Sequence, residues 1–247
     1  MMRFAYLLSE LRLLFRFKTR LILSIFIPLA FYLLFTSIIQ APEAEMAEIN
    51  KNAMYSMTTF SLTSFCLFSF PLELIDERKK GWYKNLMTTP LKPFDYFSVK
   101  IVKTMFQFIL AIFIIFGTAA FYKGVHLSFS QWILSGLVLW IGASLFLSLG
   151  VLLAQINDTQ KASGIGNILY LGLAVLGGLW FPIDTFPSFM KPIAHLTPTY
   201  HLKKLATDLG QNDSFAISAF MILLLYSMIF LSIALYLSLI HISEPTR

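Results

Sequence analysis

The chain has 247 residues, 57% of them hydrophobic and only 13% charged, with a mean hydropathy of +0.72. A soluble domain of this length needs more polar surface, so the composition points to a membrane protein. The net charge of +6 would suit nucleic acid, but the bases sit beside apolar runs, as lipid headgroups and membrane topology require, and nucleic-acid binding is set aside.

Residues 1–20 read as an amphipathic helix. Phe4, Leu7, Leu8, Leu11 and Phe15 recur at helical spacing, and Arg12, Arg16 and Arg20 line another face. Such a helix lies in the plane of the membrane interface. The alternative is a signal peptide with 21–39 as its apolar core. That core is too long, and no clean small-x-small cleavage site follows it.

Six apolar runs are long enough to cross a bilayer, which takes about 20 helical residues. They lie at roughly 21–39, 53–75, 101–122, 130–154, 164–181 and 215–236. The N-terminal arm, the second-to-third connection and the fourth-to-fifth connection together carry thirteen Lys and Arg, against five in the other loops. The positive-inside rule therefore places both termini in the cytoplasm. Lys203 and Lys204 stand on the side where few bases are expected.

The second span holds Thr59, Thr63 and Ser64 among other hydroxyls. They read either as bonds between helices or as the semi-polar lining of a translocation path. Pro71 is expected to kink this span, with Glu73 close to its cytoplasmic end. Lys100 and Lys103 flank the third span, where they can snorkel to water. The one cysteine, Cys66, lies within an apolar run and reads as a small buried apolar residue.

Residues 76–84 are the densest charge cluster in the chain. Trp82 and Leu86 are four apart, so a short helix here offers an apolar face among bases, which suits either a partner surface or an interfacial anchor. Thr88-Thr89-Pro90 breaks it, and Pro93 starts the next helix with Asp95 in its first turn.

The fifth span is glycine-rich and ends in Gly177-Gly178. The stretch after it stays apolar and aromatic, with Phe181, Pro182, Pro187, Pro198 and Tyr200. Its prolines punctuate short helices that dip partway into the bilayer, where protein must cover the irregular backbone. His195 and His201 read as interfacial hydrogen bonders rather than metal ligands. The chain has no G-x-x-x-x-G-K-[ST] phosphate loop and no H-E-x-x-H zinc motif. Gly142-Ala143-Ser144 reads as helix packing, not as a serine nucleophile. The last residues, 237–247, look like a translated sequencing adapter, so the natural C-terminus is expected to be missing.

Three signals together resemble the permease subunits of ABC-2-type exporters: Glu77-Arg78-x-x-Gly81 followed by Leu86-x-x-Thr89-Pro90-Leu91, the Gly177-Gly178…Phe181-Pro182…Pro187…Pro198-x-Tyr200 stretch before the last span, and an amphipathic arm leading into six spans. The resemblance covers residues 1–236 as one transmembrane domain. It implies an all-α membrane protein with an N-terminal elbow helix, a cytoplasmic coupling helix and a re-entrant helical hairpin before the last span. The resemblance also assigns roles. Glu77, Arg78, Gly81, Trp82, Leu86, Thr89 and Pro90 would couple to a separate ATP-binding cassette subunit, expected in two copies. The hairpin residues would form an outer gate. A second permease copy or a sister permease would complete a complex in the bacterial cell membrane. ATP and magnesium would sit on the partner, with no cofactor and no metal in this chain. The cargo class is a drug, a peptide antibiotic or a lipid. The competing expectation is a membrane scaffold that docks a soluble signalling partner.

Overall fold

The structure is a computed structural model describing residues 2–16, 18–211 and 215–243. Among the described residues the chain is helical, without strands. In chain order the helices are α1 (Met2–Arg16), α2 (Lys18–Ile38), α3 (Glu43–Ser64), α4 (Phe70–Lys79), α5 (Trp82–Leu86), α6 (Pro93–Tyr122) and α7 (Phe129–Leu153). They continue as α8 (Thr159–Leu176), α9 (Met190–Leu196), α10 (Pro198–Gly210) and α11 (Ile217–Ser243). The last of these runs into the adapter-like stretch. The side chains of Phe15 and Arg16, and residues 244–247, lie outside the described set.

Pro71 shapes the central rod. It has no N–H for the carbonyl of Leu67, four residues back, and its ring crowds that turn. The kink expected at Pro71 takes the form of a π turn, Phe65–Ser69, directly before it. α3, this turn and α4 thus form one continuous apolar rod, Glu45–Lys79, longer than the expected 53–75. The widened turn presses its carbonyls on two neighbours that lack a Cβ. A Cβ on Gly150 of α7 would collide with Cys66 O, and one on Gly166 of α8 would stand 3.1 Å from Leu67 O. Cys66 itself is buried, its thiol 3.6 Å from Ala143 O.

Among the described residues five stretches are long and apolar enough to cross a membrane: Thr19–Ile38, Glu45–Lys79, Pro93–Tyr122, Phe129–Leu153 and Ile217–Ser238. The run expected at 164–181 is not among them. It is α8, which starts earlier, with polar residues, and stops earlier. Asp158 caps its start, accepting the N–H groups of Gln160 at 2.7 Å and Lys161 at 2.9 Å. Gly178, at φ +68°, ends it in a left-handed turn that a side chain would resist.

Cross-helix bonds define the two ends of the bundle. At the first, Arg20 pairs with Asp76 at 2.7 Å, and Thr159 Oγ1 donates to Asp76 Oδ1 at 3.3 Å. At the second, Asn50 Nδ2 donates to Lys123 O at 3.1 Å and Gln131 Nε2 to Gly210 O at 2.9 Å. α10 starts inside the bundle, where Thr199 Oγ1 donates to Leu173 O at 2.9 Å. Its Leu202 packs on Gly142, near the middle of α7, so closely that a Cβ there would lie 2.5 Å from Leu202 Cδ1. From there it climbs to the second end.

Helix α1 lies along α6 and buries Tyr6, Glu10 and Leu14. Phe4 and Leu8 of the predicted apolar stripe are exposed. Leu7 of the same stripe packs against the core, so the stripe is divided between the bundle and the outside.

Candidate functional site: a buried charge cluster beside a basic turn

Glu73 and Glu77 lie one turn apart on α4, and Lys100 and Lys103 one turn apart on α6. Glu10 of α1 completes the group. Lys100 Nζ is 2.8 Å from Glu10, 2.6 Å from Glu73 and 2.5 Å from Glu77. Lys103 Nζ is 2.8 Å from Glu10 and also pairs with Glu73. Tyr96 donates its hydroxyl to Glu77 at 2.6 Å, and the Tyr6 and Tyr96 rings flank the Lys100 ammonium at 6.0 and 5.6 Å. Lys100 and Glu10 are each only 1% exposed.

The expectation that Lys100 and Lys103 snorkel is therefore corrected. A buried charge must be paired, and withdrawing either ammonium would strand the carboxylates beside it. Glu10 was not singled out in the sequence, because it lies off the Phe4–Leu8–Leu11 stripe and nothing local announces its lysine partners. Its signal is that it shares the face of Tyr6 and Leu14 at i+4 spacing. Glu10, Glu73 and Glu77 offer oxygens within 4.8 Å of one another, a spacing that suits a metal ion. Two lysine ammoniums already stand among those oxygens.

The basic turn grows from this cluster. Gly81, at φ +71°, reverses the chain between α4 and α5. Glu77 points into the cluster. Arg78 donates to Ala154 O at 2.7 Å and Ile156 O at 3.0 Å, clasping the end of α7. Trp82 is 47% exposed, while Leu86 is half-buried against the core. Thr89 closes the helix by donating to Leu86 O at 2.6 Å, and Pro90 is exposed. Pro93 then opens α6, and Asp95 in its first turn pairs with Arg3 of α1.

At the other end of α8, Gly177 abuts the Thr199 hydroxyl and Gly178 abuts Ile183. Phe181, Pro182 and Pro187 are exposed, and Pro198 is buried at the start of α10. Tyr200 stands edge-on between His195 and His201, with ring centres 4.6 and 5.1 Å away. Lys203 donates to Gly178 O at 2.9 Å, so the base that departs from the topology rule caps the end of α8. Beside it, Trp180 sits edge-on to Phe31 and Phe60, and Phe60 stacks on Tyr170 at 4.2 Å.

Thr59, Thr63 and Ser64 are buried in α3. Thr63 donates to Thr59 O at 2.8 Å, and Ser64 to Ser24 Oγ of α2 at 2.8 Å. Among the described residues the buried Thr59 hydroxyl has no partner.

A multi-span helical membrane protein with a buried charge cluster at one end is the class that this geometry defines. Residues 36–236 match the family model described as ABC-2 family transporter protein. The chain is also 30% identical over 230 residues to "Putative transport permease YvfS" of Bacillus subtilis (strain 168), across 93% of this chain and 94% of that protein. The chain belongs to the ABC-2 transporter family. Membership implies a membrane permease subunit that associates with an ATP-binding subunit.

Proposed function

We propose that the chain is the permease of an ATP-driven exporter in a bacterial cell membrane, moving a drug, a peptide antibiotic or a lipid outward. Two ATP-binding subunits carry the nucleotide and magnesium, and a second permease, a copy or a sister chain, completes the assembly. The basic turn and both termini face the cytoplasm, on the charge asymmetry of the loops. α1 is the elbow helix and α5 the coupling helix. α8 with the α9–α10 hairpin makes a sixth, re-entrant crossing that forms the outer gate, and Thr59, Thr63 and Ser64 border the path.

One observation carries this reading: the short exposed helix α5 is rooted in three other elements at once. The cluster ties its base to α1 and α6, and Arg78 ties it to α7. A displacement imposed on α5 by a soluble motor is thereby delivered to the spans as a rigid-body movement. Trp82→Asp should leave the protein in the membrane and in complex, yet separate ATP hydrolysis from export. Leu86→Asp carries the same expectation, with an added cost in stability because Leu86 is half-buried. Undiminished export in Trp82→Asp would overturn the proposal. A scaffold without a motor would instead neither co-purify with an ATPase nor show cargo-stimulated hydrolysis.

A further inference from the structure

A groove of about 450 Å³ runs between α6 and α7. It starts at Ile109 and Trp140, near the middle of both helices, and reaches Phe121 and Trp132 close to the second end of the bundle. The helical rise from Ile109 to Phe121 is about 18 Å. That is close to the depth of one leaflet, half of a hydrocarbon core about 30 Å thick.

Among the described residues no charged side chain lines the groove. The Trp140 indole N–H already donates to Met105 O at 2.9 Å. Both walls belong to stretches that cross the membrane, and Phe113 and Leu137 stay exposed along the edges, so the groove opens on hydrocarbon. Water does not fill so apolar a space; such cavities stay dry and take up apolar molecules. The occupant must also be narrow. Spread over that length, the volume leaves a cross-section of about 25 Å², against about 80 Å² for a helix 10 Å across. A helix of a second copy is too wide, and a single methylene chain is not. Gly117 and Gly136 keep the middle open: a Cβ on Gly117 would meet nothing within 4 Å, and one on Gly136 would stand 3.7 Å from Ile112 and Phe116.

We infer that this groove holds one acyl chain of a phospholipid from the leaflet at the second end. The headgroup lies level with the exposed Tyr122 at the mouth, where aromatic rings meet the interface, and the chain end lies against Trp140. Close packing holds the chain, because the surrounding bilayer is equally apolar and offers no hydrophobic driving force. The inference goes beyond the export reading and does not depend on it, because both walls come from one chain.

Tryptophan quenching by brominated lipid tests it on the full chain in detergent micelles, since Trp132 and Trp140 line the groove. The probes are phosphatidylglycerol and phosphatidylethanolamine with dibrominated chains. Quenching is expected to show a component that saturates at one lipid per chain, alike for both headgroups, above the linear rise from random contact. Gly117→Leu fills the groove from a position with open space. It should remove the saturating component and keep the linear one. Linear quenching alone in the unmodified protein would overturn the inference. So would saturation with one headgroup only, or saturation that survives in Gly117→Leu. A disulfide-linked dimer formed through Ile133→Cys in native membranes would also overturn it, because a second copy would then occupy the groove.

Discussion

Lys103 of α6 and Glu10 of α1, 93 residues apart in the chain, meet at 2.8 Å with both side chains almost fully buried. Helix α1 is thus joined to the bundle by charge as well as by apolar contact. Breaking such a pair from one side leaves a buried carboxylate uncompensated. Lys103→Met should cost about 3 kcal/mol or more in unfolding free energy, measured by denaturant titration in mixed micelles. Glu10→Met combined with Lys103→Met removes one charge of each sign, so it should cost less than the sum of the two single changes. Strict additivity would show that the pair makes no energetic contact.

The π turn before Pro71 gives a second prediction through its glycine neighbours. A Cβ on Gly150 meets the backbone carbonyl of Cys66, which cannot swing aside as a side chain can. Gly150→Ala should therefore destabilise by about 1–3 kcal/mol, the usual cost of overpacking. Gly164 on α8 has open space where its Cβ would stand. Gly164→Ala should be neutral or stabilise by up to about 1 kcal/mol, because alanine favours the helix. Thermal unfolding of the two variants side by side separates contact from propensity, and equal shifts would refute the packing argument.

These glycines also show where sequence reading ended. Hydropathy located the long spans because each is a local run, and Pro93 with Asp95 marked the start of α6 because caps are local too. The short helix at Trp82 followed from the spacing of Trp82 and Leu86 and from the breaker Thr88-Thr89-Pro90 after it. The charge cluster was not legible, since Glu10, Glu73 and Lys100 come from three separate segments. Lys100 and Lys103 were read as loop bases because nothing local announces a distant carboxylate. The span predicted at 164–181 had the right composition, but the Gly177-Gly178 turn, capped from α10 by Lys203, ends the helix early. Pairing across the fold decides these features, and pairing is what a single chain's periodicity omits.

Arg78 supplies the last prediction, because one side chain spans the gap between the base of α5 and the carbonyls just past the end of α7. Its Nη2 donates to Ala154 O and Ile156 O together, and the ammonium of a lysine, on a shorter side chain, ends short of that position. Arg78→Lys keeps the charge and loses the clasp, at about 1 kcal/mol, the low end for such bonds because Arg78 is exposed. Under the proposed lever that small cost falls on transmission, not on folding. Arg78→Lys should leave membrane abundance and ATP hydrolysis by the assembled complex near wild type, lower export, and speed amide hydrogen exchange at the C-terminal turn of α7. Export that stays intact while exchange at α7 quickens would separate the clasp from the lever and confine Arg78 to stability.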